Sequence, residues 1–115
     1  MERRRVVITG MGAVTPLGLT CPDSWQAVRE GVCGIAPITQ FDASELKVKL
    51  AAEVKGFAPE ELLGKADAKR MGRFTQFAAV AAQEALADAG FDVSSADPDR
   101  CGVSVSSGIG GLSIT

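Results

Sequence analysis

The chain has three cysteines and no histidine, and this limits the chemistry that its side chains can perform. Histidine is the commonest general base and metal ligand, so Ser-His-Asp and Cys-His mechanisms are excluded within these residues. Cys21, Cys33 and Cys101 are widely spaced and form no Cys-x-x-Cys pair. This pattern is typical of free structural thiols in a reducing compartment. We therefore predict no catalytic residue and no metal site here.

A first glycine cluster, residues 10–12, follows an apolar run and invites comparison with a dinucleotide-binding turn. That turn needs a third glycine three residues later, at the start of a helix that holds the pyrophosphate. Thr15 occupies this place and Pro16 follows it. A tight turn after a strand is the better interpretation of the cluster.

A second glycine cluster, residues 107–111, also follows a predicted strand. It is not a phosphate loop, because no Lys-Ser or Lys-Thr pair follows it. Gly108 and Gly110 flank Ile109, so the backbone can approach a ligand closely while the isoleucine side chain stays free to move. The residues alone fit a structural turn and a ligand-lining loop equally well.

Charges on the predicted long helix are distributed against its dipole. The start of the helix carries Lys65, Lys69, Arg70 and Arg73, and its end carries Glu84 and Asp88. A helix dipole favours anions at the N-terminus and cations at the C-terminus. Two interpretations remain open at this point: a solvated face that tolerates the mismatch, or a basic end that receives an anionic partner.

Composition narrows the class of protein. Twelve basic and fourteen acidic residues give a net charge of −2, so there is no basic excess of the kind that nucleic-acid binding requires. Three arginines before an apolar run faintly imitate a signal peptide, but Thr9, Gly10 and Pro16 interrupt the run. No stretch approaches the length of a membrane span. We expect a cytoplasmic protein that binds neither nucleic acid nor membrane.

Periodicity predicts an α/β layered unit. Residues 5–9 are expected to be a strand buried on both faces, residues 101–106 another strand, and the alternating residues 48–57 a strand with one wet face. Asp23 is expected to cap a short helix with Gln26, closed by Gly31, and a single helical turn is expected from Pro59 to Gly64. Three strands make a small sheet, and the sequence stops just after a glycine turn, so we expect an incomplete unit.

The clearest predicted element is one helix over residues 67–89, ended by Gly90. Its apolar stripe is rich in alanine, which implies close approach of a neighbouring segment. The opposite face is predicted to be polar and comprises Arg70, Arg73, Gln76, Gln83, Glu84 and Asp88.

Taken together, these residues resemble the opening of the β-ketoacyl-acyl-carrier-protein synthases, within the thiolase-like condensing enzymes. The resemblance rests on an ordered series of segments and not on any single motif. The series comprises residues 4–12, 15–18, 41–44, 69–71, 74–76, 85–90 and 107–111, with Trp25, Gly31, Gly34 and Ile35.

The resemblance implies a thiolase-like αβαβα fold, of which residues 1–115 form the N-terminal part of the first half. The second half is expected to lie outside the given sequence. In the family, the isoleucine that corresponds to Ile109, between Gly108 and Gly110, lines the inner acyl pocket. An isoleucine here is typical of the type II elongation enzyme, whereas the type I relative has a further glycine. The resemblance thus favours the ligand-lining interpretation of the loop.

The family also docks an acidic acyl carrier protein on basic residues at the start of this helix. Lys69 and Arg70 match that pattern, and Lys65 is a nearby basic residue. Ala66 and Ala68 stand where relatives often carry basic or polar residues, so docking with fewer charges, or through other residues, is expected here. The resemblance further implies a homodimer and no cofactor beyond the phosphopantetheine of the carrier protein.

The family reaction is a decarboxylating Claisen condensation that uses one cysteine at a helix N-terminus and two histidines. These residues are expected outside the given sequence, so the chain alone is predicted to be inactive. Two alternatives remain. One is a non-catalytic carrier-binding module akin to chain-length factors, and the other is part of a polyketide ketosynthase.

Overall fold

The computed structural model describes residues 1–112, and its regular elements mix helices with one small hairpin. None of the described helices has both the length and the apolar character needed to cross a bilayer. In chain order the elements are α1 (Cys21–Arg29), β1 (Ile35–Pro37), β2 (Leu50–Ala52), α2 (Pro59–Leu63), α3 (Lys65–Arg70) and α4 (Arg73–Ala89), followed by 3₁₀ turns at Val93–Ser95 and Pro98–Arg100.

The strands predicted at residues 5–9 and 101–106 are wrong for this structure. Strands are held by hydrogen bonds to a neighbouring strand, and the single ladder in the described part of the chain joins β1 to β2. Val6 is 92% exposed and Val103 is 93% exposed. A run of β-branched residues creates a preference for extended structure but cannot supply a partner.

The β1–β2 hairpin is antiparallel and pairs Ile35 with Ala52, and Pro37 with Leu50. The strand predicted over residues 48–57 is therefore shortened to three residues. Its predicted apolar face lies in solvent, because Val48, Leu50 and Ala52 are all exposed.

Glu53 ties the connection after β1 to the end of β2. Its carboxylate accepts hydrogen bonds from the backbone N–H and the hydroxyl of Thr39, the latter at 2.7 Å, and from the N–H of Gln40 at 3.3 Å. The hydrogen bond from the Thr39 hydroxyl is the main reason why the pKa of Glu53 lies below its ordinary value. Desolvation opposes it as the next largest effect, and the backbone N–H groups of Thr39 and Gln40 lower the pKa further. The charged form of this carboxylate thus stabilises the hairpin.

Helix α1 begins earlier than the sequence predicts. Its N-cap is Thr20, whose hydroxyl accepts the N–H of Asp23 at 3.2 Å, so Asp23 is not the cap. Threonine and aspartate are both good caps, and Pro22 near the start favours the earlier position. Gly31 follows the helix with a φ of +69°, as expected of a glycine that ends a helix.

The helix predicted over residues 67–89 is two helices. Met71 has φ −105° and ψ 136°, which is extended backbone, so α3 stops at Arg70 and α4 starts at Arg73. Gly72, the N-cap of α4, occupies a position where continued helix is intrinsically unfavourable. The predicted end at Gly90 is confirmed by its left-handed φ of 60°, and α2 begins at Pro59 and ends before Gly64 as predicted.

Residues 10–12 lie directly on the alanine face of α4. A Cβ atom at Gly10 would meet the backbone nitrogen of Ala89 at 2.5 Å, and one at Gly12 would overlap the carbonyl oxygen of Ala81. Only glycine allows this approach. The predicted close neighbour of the alanine stripe is therefore the N-terminal segment.

The described residues enclose a small core. The exposed area is 9470 Å², whereas a folded monomer of this mass exposes about 6,000 Å². The radius of gyration is 17.4 Å, against about 13 Å for a compact domain of this length. The buried apolar residues among those described are Ala43, Phe57 and Ala68. Much apolar surface of the unit is thus left uncovered by its own residues.

Candidate functional site

Helix α3 presents three basic side chains to solvent. Lys65 is its first residue, and Lys69 and Arg70 lie in its last turn. All three are exposed, and none makes a side-chain hydrogen bond or ion pair within residues 1–112. The structure brings the predicted carrier-docking residues together on one short helix, and their binding role stays a prediction.

The break between the helices changes the electrostatic interpretation of these cations. Because α3 ends at Arg70, Lys69 and Arg70 stand at a helix C-terminus, where the dipole favours positive charge. The predicted dipole mismatch is therefore wrong for both residues. The mismatch persists for Lys65, the first residue of α3, and for Arg73, the first residue of α4.

Arg73 is engaged by aromatic rings. Its guanidinium lies 5.1 Å from the centroid of the Phe57 ring and 5.0 Å from that of Phe77. The two rings meet edge to face, with centroids 4.9 Å apart. Cation–π attraction and packing hold the guanidinium here, and a long 3.5 Å contact joins it to the carbonyl of Val54. Arg73 thus anchors the segment after β2 to α4 and is not one of the free cations.

Gln76 lies inside, contrary to its predicted place on the polar face of the helix. Its side-chain Nε2 donates to the carbonyl oxygens of Ala68 at 2.9 Å and Met71 at 3.3 Å. The residue is buried, as is Ala68. A helix break between Ala68 and Gln76 exposes carbonyl groups that need a donor, and the amide supplies it. Gln76 therefore fixes α3 relative to α4.

Glu84 and Asp88 hold the N-terminal segment, and nothing in the local sequence pattern pointed to these partners. Glu84 accepts the backbone N–H of Ala13 at 2.9 Å and that of Cys21 at 2.8 Å. Asp88 accepts the N–H of Met11 at 2.9 Å. Since Cys21 is the first residue of α1, Glu84 also places a negative charge at a helix N-terminus. These bonds account for acidic residues near the end of α4.

The glycine loop at residues 107–111 lies against the first turn of α4. A Cβ atom at Gly110 would come within 2.6 Å of the Phe74 ring. The N–H of Gly110 donates to the Ser107 hydroxyl at 2.9 Å. Ile109 projects away from the core and is 75% exposed. The loop and the basic helix α3 thus lie at the same end of α4.

The three cysteines are free thiols. Cys33 and Cys101 are exposed, and Cys21 lies in an open cavity of about 770 Å³ between α1 and α4. The cavity is lined by Met11, Cys21, Pro22, Trp25, Glu84, Ala87 and Asp88. Its acidic side chains are already bonded to backbone amides, and no histidine in the sequence can activate the thiol.

Comparison with known families shows to which family the chain belongs. The sequence profile of the "Beta-ketoacyl synthase, N-terminal domain" family matches residues 3–114. The chain belongs to this family. The resemblance inferred from the ordered motifs is confirmed.

Curated members of the family are similar along nearly the whole chain. The chain is 46% identical over 114 residues to "3-oxoacyl-[acyl-carrier-protein] synthase 2" of Synechocystis, an alignment that covers 99% of the chain and 27% of the relative. It is 45% identical to the protein of the same name from Coxiella burnetii, covering 97% and 27%. The Staphylococcus aureus protein is 47% identical, covering 96% and 27%. The chain thus spans about a quarter of the length of these relatives.

Solved structures of the family share the fold. "The ishigamide ketosynthase/chain length factor" matches with a TM-score of 0.71 and 36% identity, over 79% of this chain and 23% of that one. A β-ketoacyl synthase from Burkholderia phymatum matches with a TM-score of 0.64 and 34% identity, over 84% and 24%. The predicted thiolase-like class, represented here by part of the fold, is confirmed.

Proposed function

We propose that the chain is the N-terminal part of the first half of a 3-oxoacyl-acyl-carrier-protein synthase, which elongates fatty acyl chains. Identities of 45–47% to three relatives of that name support this assignment. In the reaction, malonyl-carrier protein loses CO2, the resulting carbanion attacks an enzyme-bound acyl thioester, and the enzyme thiolate leaves. The new carbon–carbon bond extends the acyl chain by two carbons.

Within this function, Lys65, Lys69 and Arg70 receive the acidic carrier protein. The supporting observation is that all three are exposed and unpaired within residues 1–112, at the same end of α4 as the Ile109 loop. Free cations steer an anionic partner and raise its association rate. The Ile109 loop, with Gly108 and Gly110, then lines the channel for the acyl chain. In this proposal the basic residues that bind the carrier protein lie near the loop that receives the acyl chain.

The catalytic thiolate and its two imidazoles come, in this proposal, from residues beyond the given sequence. The chain has no histidine, so these 115 residues alone are inactive. We further propose that the complete enzyme is a cytoplasmic homodimer. It needs no cofactor of its own, because its substrates are carried on the phosphopantetheine of the carrier protein. Release of CO2 from malonyl-carrier protein by the isolated 115-residue chain would overturn this assignment.

The docking role is tested by charge reversal in the synthase that contains this segment. Lys69→Glu with Arg70→Glu is expected to weaken carrier-protein binding about tenfold or more and to flatten its salt dependence. The matched control is Lys47→Glu with Arg29→Glu, which reverses one exposed lysine and one exposed arginine elsewhere. Equal binding by both double variants, measured by titration calorimetry, counts against docking on α3.

A chain-length-factor-like partner subunit is the second candidate. The structural match to the ishigamide ketosynthase/chain length factor, at a TM-score of 0.71, favours considering it. Such a module would bind the carrier protein but would not decarboxylate malonyl groups. A full-length product that contains the catalytic cysteine and two histidines and makes ketoacyl thioester excludes it. The acyl chains that this product accepts then separate a fatty-acid enzyme from a polyketide ketosynthase.

A further inference from the structure

The ring of Phe74 lies against the one loop that the proposed function assigns to the acyl chain. We propose that Phe74 is a positioning residue that fixes the place of Ile109 and thereby the acyl chain lengths that the enzyme accepts. This inference rests on the proposed function and adds a residue to it. Phe74 acts through the loop and is not itself assigned contact with substrate.

The contact between ring and loop is close and specific. A Cβ atom at Gly110 would meet Phe74 Cδ2 at 2.6 Å and Cε2 at 2.9 Å, so the backbone of Gly110 lies against the edge of the ring. A Cβ there would also meet the Ser107 hydroxyl at 2.6 Å. The ring of Phe74 therefore lies against the loop from outside, and the Ser107 hydroxyl, which accepts the N–H of Gly110, holds the turn together from within.

Ile109 depends on this support because little else among residues 1–112 holds it. Its side chain is 75% exposed, and glycine stands on either side of it, so the backbone of the loop decides where it points. The left-handed φ of +85° at Gly111 then turns the chain away. A movement of Gly110 is thus transmitted directly to Ile109.

Phe74 is not one of the buried residues of the core that residues 1–112 form. It is 41% exposed, and it follows Arg73, which anchors the start of α4 through Phe57 and Phe77 independently of it. Truncation to alanine leaves an open gap beside Gly110. We expect the loop to move into that gap and to carry Ile109 toward α4, which enlarges the space for an acyl chain.

The experiment compares Phe74→Ala, Phe74→Leu and the control Phe91→Ala in the complete synthase. Phe91 is an aromatic residue of similar exposure, 46%, outside the loop contact. The ratio of kcat/KM for myristoyl-carrier protein to that for hexanoyl-carrier protein is measured for each. Phe74→Ala is expected to raise this ratio about threefold or more, and Phe74→Leu to restore most of the wild-type ratio. Phe91→Ala leaves the ratio unchanged.

A second experiment measures the mobility of the loop directly and does not depend on enzyme activity. Phe74→Ala is expected to speed hydrogen exchange at the amides of Ile109 and Gly110 several-fold, because the loop loses its support. Gly110→Ala alone is expected to displace the loop. In a protein that already carries Phe74→Ala, the same substitution is expected to have a smaller effect, since the clash with the ring is gone. Additive effects of the two substitutions contradict the proposed contact.

The two experiments separate the two proposals. A wild-type protein without condensing activity overturns the proposed function, whereas the exchange result still decides whether Phe74 holds the loop. An active wild type whose Phe74→Ala variant keeps the same chain-length ratio overturns the positioning role, even if overall activity falls.

Discussion

The side-chain amide of Gln76 donates a 2.9 Å hydrogen bond to the carbonyl oxygen of Ala68. Both residues are buried, and the bond crosses the interruption between α3 and α4. The docking that we propose for α3 requires that Lys69 and Arg70 keep a fixed place relative to the rest of the unit. Gln76 is the side chain that provides this connection from inside.

Replacing Gln76 by alanine is expected to loosen α3 by about 0.5–1.5 kcal/mol, because the buried carbonyl of Ala68 is then left, within residues 1–112, with only the long 3.4 Å hydrogen bond from the N–H of Met71. Gln83→Ala is the matched control, since Gln83 is exposed on the same helix and should change stability by no more than about 0.5 kcal/mol. Hydrogen exchange at the amides of α3 measures the difference. Equal exchange rates in the two variants would show that the bond does not hold the helix.

Glu84→Gln is expected to free part of the N-terminal segment. The N–H groups of Ala13 and Cys21 donate to different oxygens of the carboxylate, Oε2 and Oε1. Glutamine replaces one of these oxygens by an NH2 group, which is a donor, so one of the two amides loses its acceptor. Loss of a charge-assisted bond costs about 1.5–3 kcal/mol in local stability. Faster exchange at one or both amides is the expected result, with exposed Glu61→Gln as the control. Unchanged protection at both positions would contradict the role of Glu84.

Gly12→Ala is expected to detach residues 10–12 from α4. The added Cβ overlaps the carbonyl oxygen of Ala81, and backbone cannot move aside as a flexible side chain can. Overpacking of this kind costs about 1–3 kcal/mol. Gly102→Ala is the control, because a Cβ there meets nothing within 4 Å. Comparison of urea or thermal unfolding of the two variants provides the measurement, and equal destabilisation would argue against close packing at Gly12.

The turn between β1 and β2 is expected to weaken in acid. Hydrogen bonds from Thr39 and Gln40 lower the pKa of Glu53 in the folded state, so the unfolded chain takes up the proton at higher pH. The stabilisation is therefore complete above the ordinary pKa of about 4.5 and is lost as the pH falls through the lowered folded value. Amide chemical shifts of Thr39 and Gln40 should follow this titration. In Glu53→Gln they should not, and a titration that persists in this variant would assign the effect to another group.

Local patterns predicted the features that local physics decides. Proline at the start of α2, glycine at its end and Gly90 after α4 act through their own backbone preferences. The alanine stripe predicted a close neighbour because small side chains leave room for one. Family membership likewise followed from an ordered series of short motifs.

Contacts between residues that are distant in sequence could not be predicted from local patterns. Glu84 lies 71 residues from Ala13, and helical periodicity alone assigns a glutamate on that face to solvent. Gln76 was misplaced for the same reason, since its burial depends on a break that the apolar stripe runs straight across. One of the two ring contacts of Arg73 follows from helical spacing, because Phe77 stands four residues further along the same helix.

The interruption at Met71 and Gly72 also sets the relative orientation of two cations. In an unbroken helix, Lys69 and Arg73 would stand one turn apart on a shared face and repel each other. Because Met71 and Gly72 are not helical, this alignment is lost. The lysine is exposed to solvent, while the guanidinium of the arginine lies against the Phe57–Phe77 ring pair. Insertion or deletion of a single residue at this junction would rotate α3 relative to α4. The length of the junction therefore determines where the charges of the two helices lie on the surface.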